Sequence, residues 1–243
     1  MNLVIDVGNT FAKVALFEDA NIIYQDMFSI KEIILELQKI DELYEITHAI
    51  ISSVTNLSKN KIDEIGLMYS LHVLSANSRV PFENAYNTPE TLGVDRIALA
   101  AAAFDQYPKE NVLVIDAGTC ITYDFMDTNG SYIGGAISPG LEMRFKAMHG
   151  FTDKLPLLKK SENVKLIGDS TETSMQSGVV NGVTAEINGI IQRYKSEYQK
   201  LTVVLTGGDT YFLANQLKNS IFANPNFLLE GLNSILIHNC KDD

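Results

Sequence analysis

The segment Val112-Leu113-Val114-Ile115-Asp116-Ala117-Gly118-Thr119 echoes Asn2-Leu3-Val4-Ile5-Asp6-Val7-Gly8-Asn9-Thr10, with one residue fewer in the turn. The stretch after each copy is repeated as well. After the first, Ala12 to Phe17 reads as a second strand, Glu18 to Asn21 as a turn and Ile22 to Phe28 as a third strand. After the second, Ile121 to Met126, Asp127 to Gly130 and Tyr132 to Ile137 run in the same order. Repetition at this scale implies duplicated structure. It predicts two related α/β domains, 1–110 and 111–243, joined by a short connection near Asn111. A cleft between packed domains is the expected ligand site.

The remaining segments fit that plan. Ala49-Ile50-Ile51 and Val203-Val204-Leu205 read as buried strands. Helical patterns cover Ile30 to Ile40, Ser58 to Leu67, Asp95 to Phe104, about Thr171 to Tyr198, and Asp209 to Leu217. Gly178, Gly182 and Gly189 predict a break or close packing within the long one.

Composition excludes several function classes. Hydrophobic residues make up 46% and charged residues 20%, which is ordinary for a globular chain. A net charge of −11, with no basic run longer than Lys159-Lys160, argues against nucleic-acid binding. The longest apolar run, Ile97 to Phe104, is too short to span a bilayer. The first residues lack the pattern of a signal peptide, so a cytoplasmic location is expected. Cys120 and Cys240 are too few for a disulfide framework or a cysteine-rich zinc site, though they leave room for one bridge.

Neither the G-x-x-x-x-G-K-[ST] loop nor the G-x-G-x-x-G fingerprint is present. The chain has two acidic glycine turns instead, Asp6 to Thr10 and Asp116 to Thr119. A carboxylate at a strand end can hold a hydrated cation that screens phosphates. Glycine lets the backbone approach, and Thr and Asn add short hydrogen bonds. Lys13 can carry positive charge toward a transferring group. The plain alternative is a pair of hairpin corners. Thr206-Gly207-Gly208-Asp209 offers a third turn against which adenine or ribose can lie, or else a tight strand–helix connection with Asp209 as cap.

Five stretches in order carry a resemblance over essentially the whole length. They are Asp6 to Lys13, Gly93-Val94-Asp95-Arg96, Asp116 to Thr119, Gly134 to Gly140, and Thr171 to Gly178. Together they resemble the type III pantothenate kinases, within the superfamily of acetate and sugar kinases, heat-shock chaperones and actin. The resemblance implies an α/β fold of duplicated ribonuclease-H-like (actin-like ATPase) domains, with mixed sheets flanked by helices and a cleft between them. It implies ATP-dependent phosphorylation of pantothenate to 4′-phosphopantothenate, the first step of coenzyme A biosynthesis.

The site residues follow from the same resemblance. Asp6, Val7, Gly8, Asn9, Thr10, Phe11, Ala12 and Lys13, with Thr119, are expected to hold ATP and Mg2+. Asp95 is the expected catalytic base, and Tyr86, Gly93, Val94, Arg96 and Thr171 join it around pantothenate. From the residues alone, Asp95 also reads as a helix cap and Arg96 as a solvated charge. Asp116 is the expected position for K+ or NH4+. A homodimer with its active site at the interface is implied too. Cys120 stands where small apolar residues are usual, and reads as structural. Glu142, Arg144 and His149 have no assigned role. The rival readings are another phosphotransferase of the superfamily and an ATP-switched filament.

Overall fold

The computed structural model describes residues 1–8, 10–53, 57–217 and 219–240, so Asn9 of the first acidic turn lies outside the described residues. The β-branched run at the N-terminus forms β1 (Asn2–Val7). It continues through β2 (Phe11–Glu18) and β3 (Asn21–Ser29), each antiparallel to the strand before it. Helix α1 (Ile33–Asp41) leads to β4 (His48–Ser53), and α2 (Lys59–Met68) to β5 (Ser70–Val73). Strands β4 and β5 pair in parallel beyond β1, giving the order β3-β2-β1-β4-β5. One face of this sheet buries Leu3, Ile5, Val14, Leu16 and Ile51 against Ile33, Leu37 and Ile65. The chain continues through β6 (Glu83–Asn84), a 3₁₀ turn at Pro89–Thr91 and helix α3 (Val94–Gln106).

The second copy repeats the layout strand for strand. Its meander is β7 (Asn111–Ala117), β8 (Cys120–Met126) and β9 (Ser131–Pro139). Helices α4 (Leu141–Gly150), α5 (Thr171–Gln176) and α6 (Gly182–Glu197) precede β10 (Leu201–Thr206). Helix α7 (Thr210–Ala214) then leads to β11 (Phe222–Ala223). The order β9-β8-β7-β10-β11 matches the first sheet, with β10 and β11 again parallel, and β6 adds a sixth strand parallel to β9. The long helix predicted from Thr171 forms with a π turn, Ser177–Asn181, between α5 and α6. The wider turn absorbs the break signalled by Gly178.

The chain divides into two compact units. One comprises Met1–Pro108, Gly130–Tyr132 and the stretch from Phe227, and the other Lys109–Asn129 and Ile133–Asn226. The sequence division at 110/111 and the compact units part company at helix α8 (Phe227–Cys240), which packs on α3, β1 and β4 of the first unit. Neither α8 nor α4 is among the helices predicted from the sequence. Helix α8 buries Phe227, Leu229, Leu232, Ile235 and Leu236, an apolar spread too wide to give the one-sided stripe of a surface helix.

A buried amide fixes this helix to the sheet. Asn233 donates to the carbonyl of Asp19 at 2.8 Å and accepts from Asn2 at 3.0 Å. Asp19 turns the β2–β3 corner at φ 52°. Asn233→Ala strands both partners and should cost about 1–3 kcal/mol. A denaturant titration showing an unchanged midpoint would rule out this clamp.

Candidate functional site

The first unit gathers a polar row on the sheet face opposite its core. Register places Lys13 on β2, Asp6 on β1 and Ser52 on β4 side by side. Neighbours in register share a face, and here it is the face toward α3 and α8. Asp6 is pushed up to about 6, chiefly by burial. Lys13 pulls it down, while the negative charge of Asp95 pushes it further up. Lys13 and Asp95 thus both act on Asp6 electrostatically. Ser52 is fully buried, and its Oγ has no hydrogen-bond partner among the described residues.

Asp95 is the second residue of α3, behind Gly93 at the N-cap. A Cβ on Gly93 would collide with the Asp95 carboxylate, so glycine is what leaves that carboxylate room beside the helix start. Oδ1 of Asp95 accepts from the Arg96 N–H at 2.9 Å. Arg96 is 6% exposed, not a solvated charge. Its guanidinium carbon lies 5.6 Å from the Tyr86 ring centroid and 5.9 Å from that of Tyr132. These two rings hold the cation by their π faces. The structure therefore brings together Tyr86, Asp95 and Arg96, and adds Tyr132.

Around the first turn, the Gly8 N–H donates to the Phe11 carbonyl at 3.0 Å. Val7 and Ala12 bury their side chains in the core, so only their backbone can serve a ligand. Thr10 and Phe11 are exposed.

The second unit holds the other acidic glycine turn and the third turn. Thr119 sits exposed in the β7–β8 turn, and its carbonyl accepts from the Gly140 N–H at 3.0 Å. Asp116 lies one residue from the end of β7. The third turn rests on it: Gly207 has φ +94°, and a Cβ there would strike Asp116 Oδ1 and the Ala117 carbonyl. The Asp209 N–H donates to that same carbonyl at 2.9 Å. Gly118, Thr119, Gly208 and Asp209 line a pocket of about 560 Å³, with Leu141 and Phe145 as its apolar lining and Lys159 and Lys160 as its cations. That volume suits a small-molecule ligand.

Arg144, to which the motifs give no role, braces the β9–α4 corner. It donates to the Pro139 carbonyl at 2.9 Å, to Ser138 Oγ at 3.1 Å and to Glu186 at 2.5 Å. Tyr123 donates to the same Glu186 at 3.0 Å. Burial raises Glu186, but these hydrogen bonds outweigh it and hold the carboxyl below its usual range. Glu142 lines the pocket and pairs with Lys146 at 2.9 Å, and His149 Nδ1 meets the Leu155 carbonyl at 2.7 Å. Cys120 opens β8, half-buried and without a disulfide. Thr171 is the first residue of α5, exposed, behind a Ser170–Thr173 capping box.

Tyr132, Ser52, Lys159 and Lys160 stand beside the motif residues although the motifs do not mark them. Strand register is the signal that could have found Ser52, since it fixes the neighbour of Asp6. Nothing local marks the other three.

Comparison with known proteins agrees with the family resemblance. The family model for type III pantothenate kinase matches residues 2–193. A type III pantothenate kinase of Christiangramia forsetii is 51% identical over 98% of this chain and 99% of its own. That of Flavobacterium johnsoniae is 45% identical over the full length of both. Among solved structures, a Campylobacter jejuni protein described as a Baf family transcriptional activator superposes with a TM-score of 0.66 at 22% identity, over 98% of each chain. The Clostridium difficile activator of 2-hydroxyisocaproyl-CoA dehydratase, with bound ADPNP, gives 0.55 at 12% identity, over 99% of this chain and 96% of its own. At such identities these two establish the fold alone, an α/β architecture of duplicated ribonuclease-H-like units. With about four fifths of its length under the family model and relatives near half identity end to end, this chain belongs to the type III pantothenate kinase family.

Proposed function

We propose that the chain transfers the terminal phosphoryl group of ATP to the primary hydroxyl of pantothenate, giving 4′-phosphopantothenate for coenzyme A synthesis. The observation that carries this reading is full-length similarity to type III pantothenate kinases. The coupled carboxylates Asp6 and Asp95 support it, since an acceptor alcohol must lose a proton as it attacks phosphorus.

The roles divide by residue. Asp6 to Lys13, with Thr119, hold the nucleotide phosphates. Asp95 accepts the hydroxyl proton. Arg96, set between Tyr86 and Tyr132, pairs with the carboxylate of pantothenate through parallel hydrogen bonds. Gly93, Val94 and Thr171 complete the acceptor contacts. Most of the acceleration comes from positioning and charge stabilisation.

Both expected cations suit the residues present. Among the described residues no cluster of three or more acidic, His or Cys groups occurs. Mg2+ keeps waters and needs only one or two carboxylates together with substrate phosphates. Asp6, with the unpartnered hydroxyl of Ser52 beside it in register, would hold it. Asp116 Oδ1 and the Ala117 carbonyl lie together at the Gly207 turn, and oxygen donors of this kind suit K+ or NH4+. Such cations supply charge screening of the phosphates when bound. A homodimer whose interface completes the pantothenate site, and a cytoplasmic location, belong to the same proposal. No helix among the described residues is long and apolar enough to cross a membrane.

The test is ADP release from Mg·ATP with pantothenate, glucose, N-acetylmannosamine or acetate as acceptor. The expected result is turnover with pantothenate alone, stimulated by K+ or NH4+ and weaker in Na+. Turnover with a sugar and none with pantothenate would replace this reading by that of a sugar kinase.

A further inference from the structure

Lys160 and Asp209 line the same pocket as Thr119 and Gly208, and they are paired to one another there. The Asp209 side chain is 16% exposed and that of Lys160 39%. The Lys160 ammonium also stands 5.1 Å from the Phe212 ring centroid. A carboxylate in a pocket meant for a polyanion is unfavourable unless a cation neutralises it. Lys160 is that cation, and its four-carbon stem lets it change partner.

The backbone carrying it is pinned from both sides. The side-chain amide of Gln176 donates to the Lys159 carbonyl at 2.5 Å and accepts from the Ser161 N–H at 3.2 Å. The Gln216 amide adds a bond to the Glu162 carbonyl at 3.4 Å. A four-carbon stem on a fixed backbone can swing while its root stays in place. None of these contacts is readable from the sequence, because Lys160 and Asp209 stand 49 positions apart.

We propose that Lys160 is a nucleotide-binding residue, held by Asp209 in the unliganded chain and passed to a phosphate oxygen when ATP enters the pocket. This rests on the pocket being a nucleotide site. It assigns the Lys159-Lys160 pair, the chain's longest basic run, to the donor substrate.

The experiment is calorimetric titration of ATP and of adenosine into wild type, Lys160→Ala, Asp209→Asn and the double variant, with thermal melts to check each fold. Wild type binding ATP upholds the nucleotide pocket, and wild type binding neither ligand sinks that reading itself. Given wild-type binding, Lys160→Ala should weaken ATP about tenfold, the scale of one charge-assisted hydrogen bond, and leave adenosine unchanged. Asp209→Asn should tighten ATP about threefold by releasing the lysine, and that gain should vanish in the double variant. Equal weakening of ATP and adenosine by Lys160→Ala, unchanged ATP affinity, or an Asp209→Asn variant as weak as Lys160→Ala would each overturn the exchange. If Lys160→Ala melts early, Lys160→Gln carries the same prediction with the stem retained.

Discussion

Asp95→Asn should lower kcat by about 10²- to 10⁴-fold while ATP still binds. The substitution is chosen to keep the local structure. Asparagine retains an oxygen to accept the Arg96 N–H, now bonded at 2.9 Å, so the first turn of α3 and the seat of Arg96 stay as they are. What disappears is the ability to take a proton from the acceptor hydroxyl. A second signature separates this from damage. Asp95 is one of the charges that push Asp6 upward, so the variant should lower the pH at which Asp6 ionises. Carbon-13 NMR of the Asp6 carboxyl reads that directly. Near-normal turnover in Asp95→Asn would remove Asp95 as base.

The stability of the ligand-free protein should fall with rising pH through the titration of Asp6. Its folded value is about 6 against 3.8 for an unperturbed aspartate. The group's contribution is therefore complete below about 4, where both states are protonated, and is lost as pH rises through about 6. Between about pH 4 and 7.5 the loss amounts to about 2–3 kcal/mol. Other groups titrate in this range, so the measurement is a difference. Asp6→Asn should gain on wild type in urea-unfolding free energy by that amount as pH is raised. A difference that stays flat would show that burial does not hold Asp6 protonated. Mg·ATP should reverse the trend, because cation and Lys13 both favour the ionised carboxylate.

Much of the fold was legible because its strongest signal is local and occurs twice. The runs before Asp6 and Asp116 became β1 and β7, and each was followed by the meander that the turn residues announced. Five strands of each sheet then took the same order, and β6 extends the second. Helix α8 was not legible, since a helix buried against a sheet and another helix shows no one-sided stripe. Its membership of the first unit depends on contacts such as Asn233 to Asn2, 231 positions apart.

The site divides in the same way. Gly93 to Arg96 is a contiguous motif, and the structure adds only why glycine must precede Asp95. The bland reading of Arg96 as a solvated charge fails, because Tyr86 and Tyr132 enclose it. Tyr132 could not be picked out, as its place beside Arg96 comes from how β9 begins. Lys160 escaped notice for a related reason: a pair of lysines on a polar stretch looks like solvated surface until its carboxylate partner is known.

The central claim, phosphoryl transfer to the primary hydroxyl of pantothenate, is tested most directly by phosphorus-31 NMR of a reaction containing the protein, Mg·ATP, K+ and pantothenate. The expected result is loss of the γ-phosphate signal with matching growth of a phosphomonoester coupled to the C4′ methylene protons. Release of inorganic phosphate alone, or no change in the ATP signals with correctly folded protein, would contradict it.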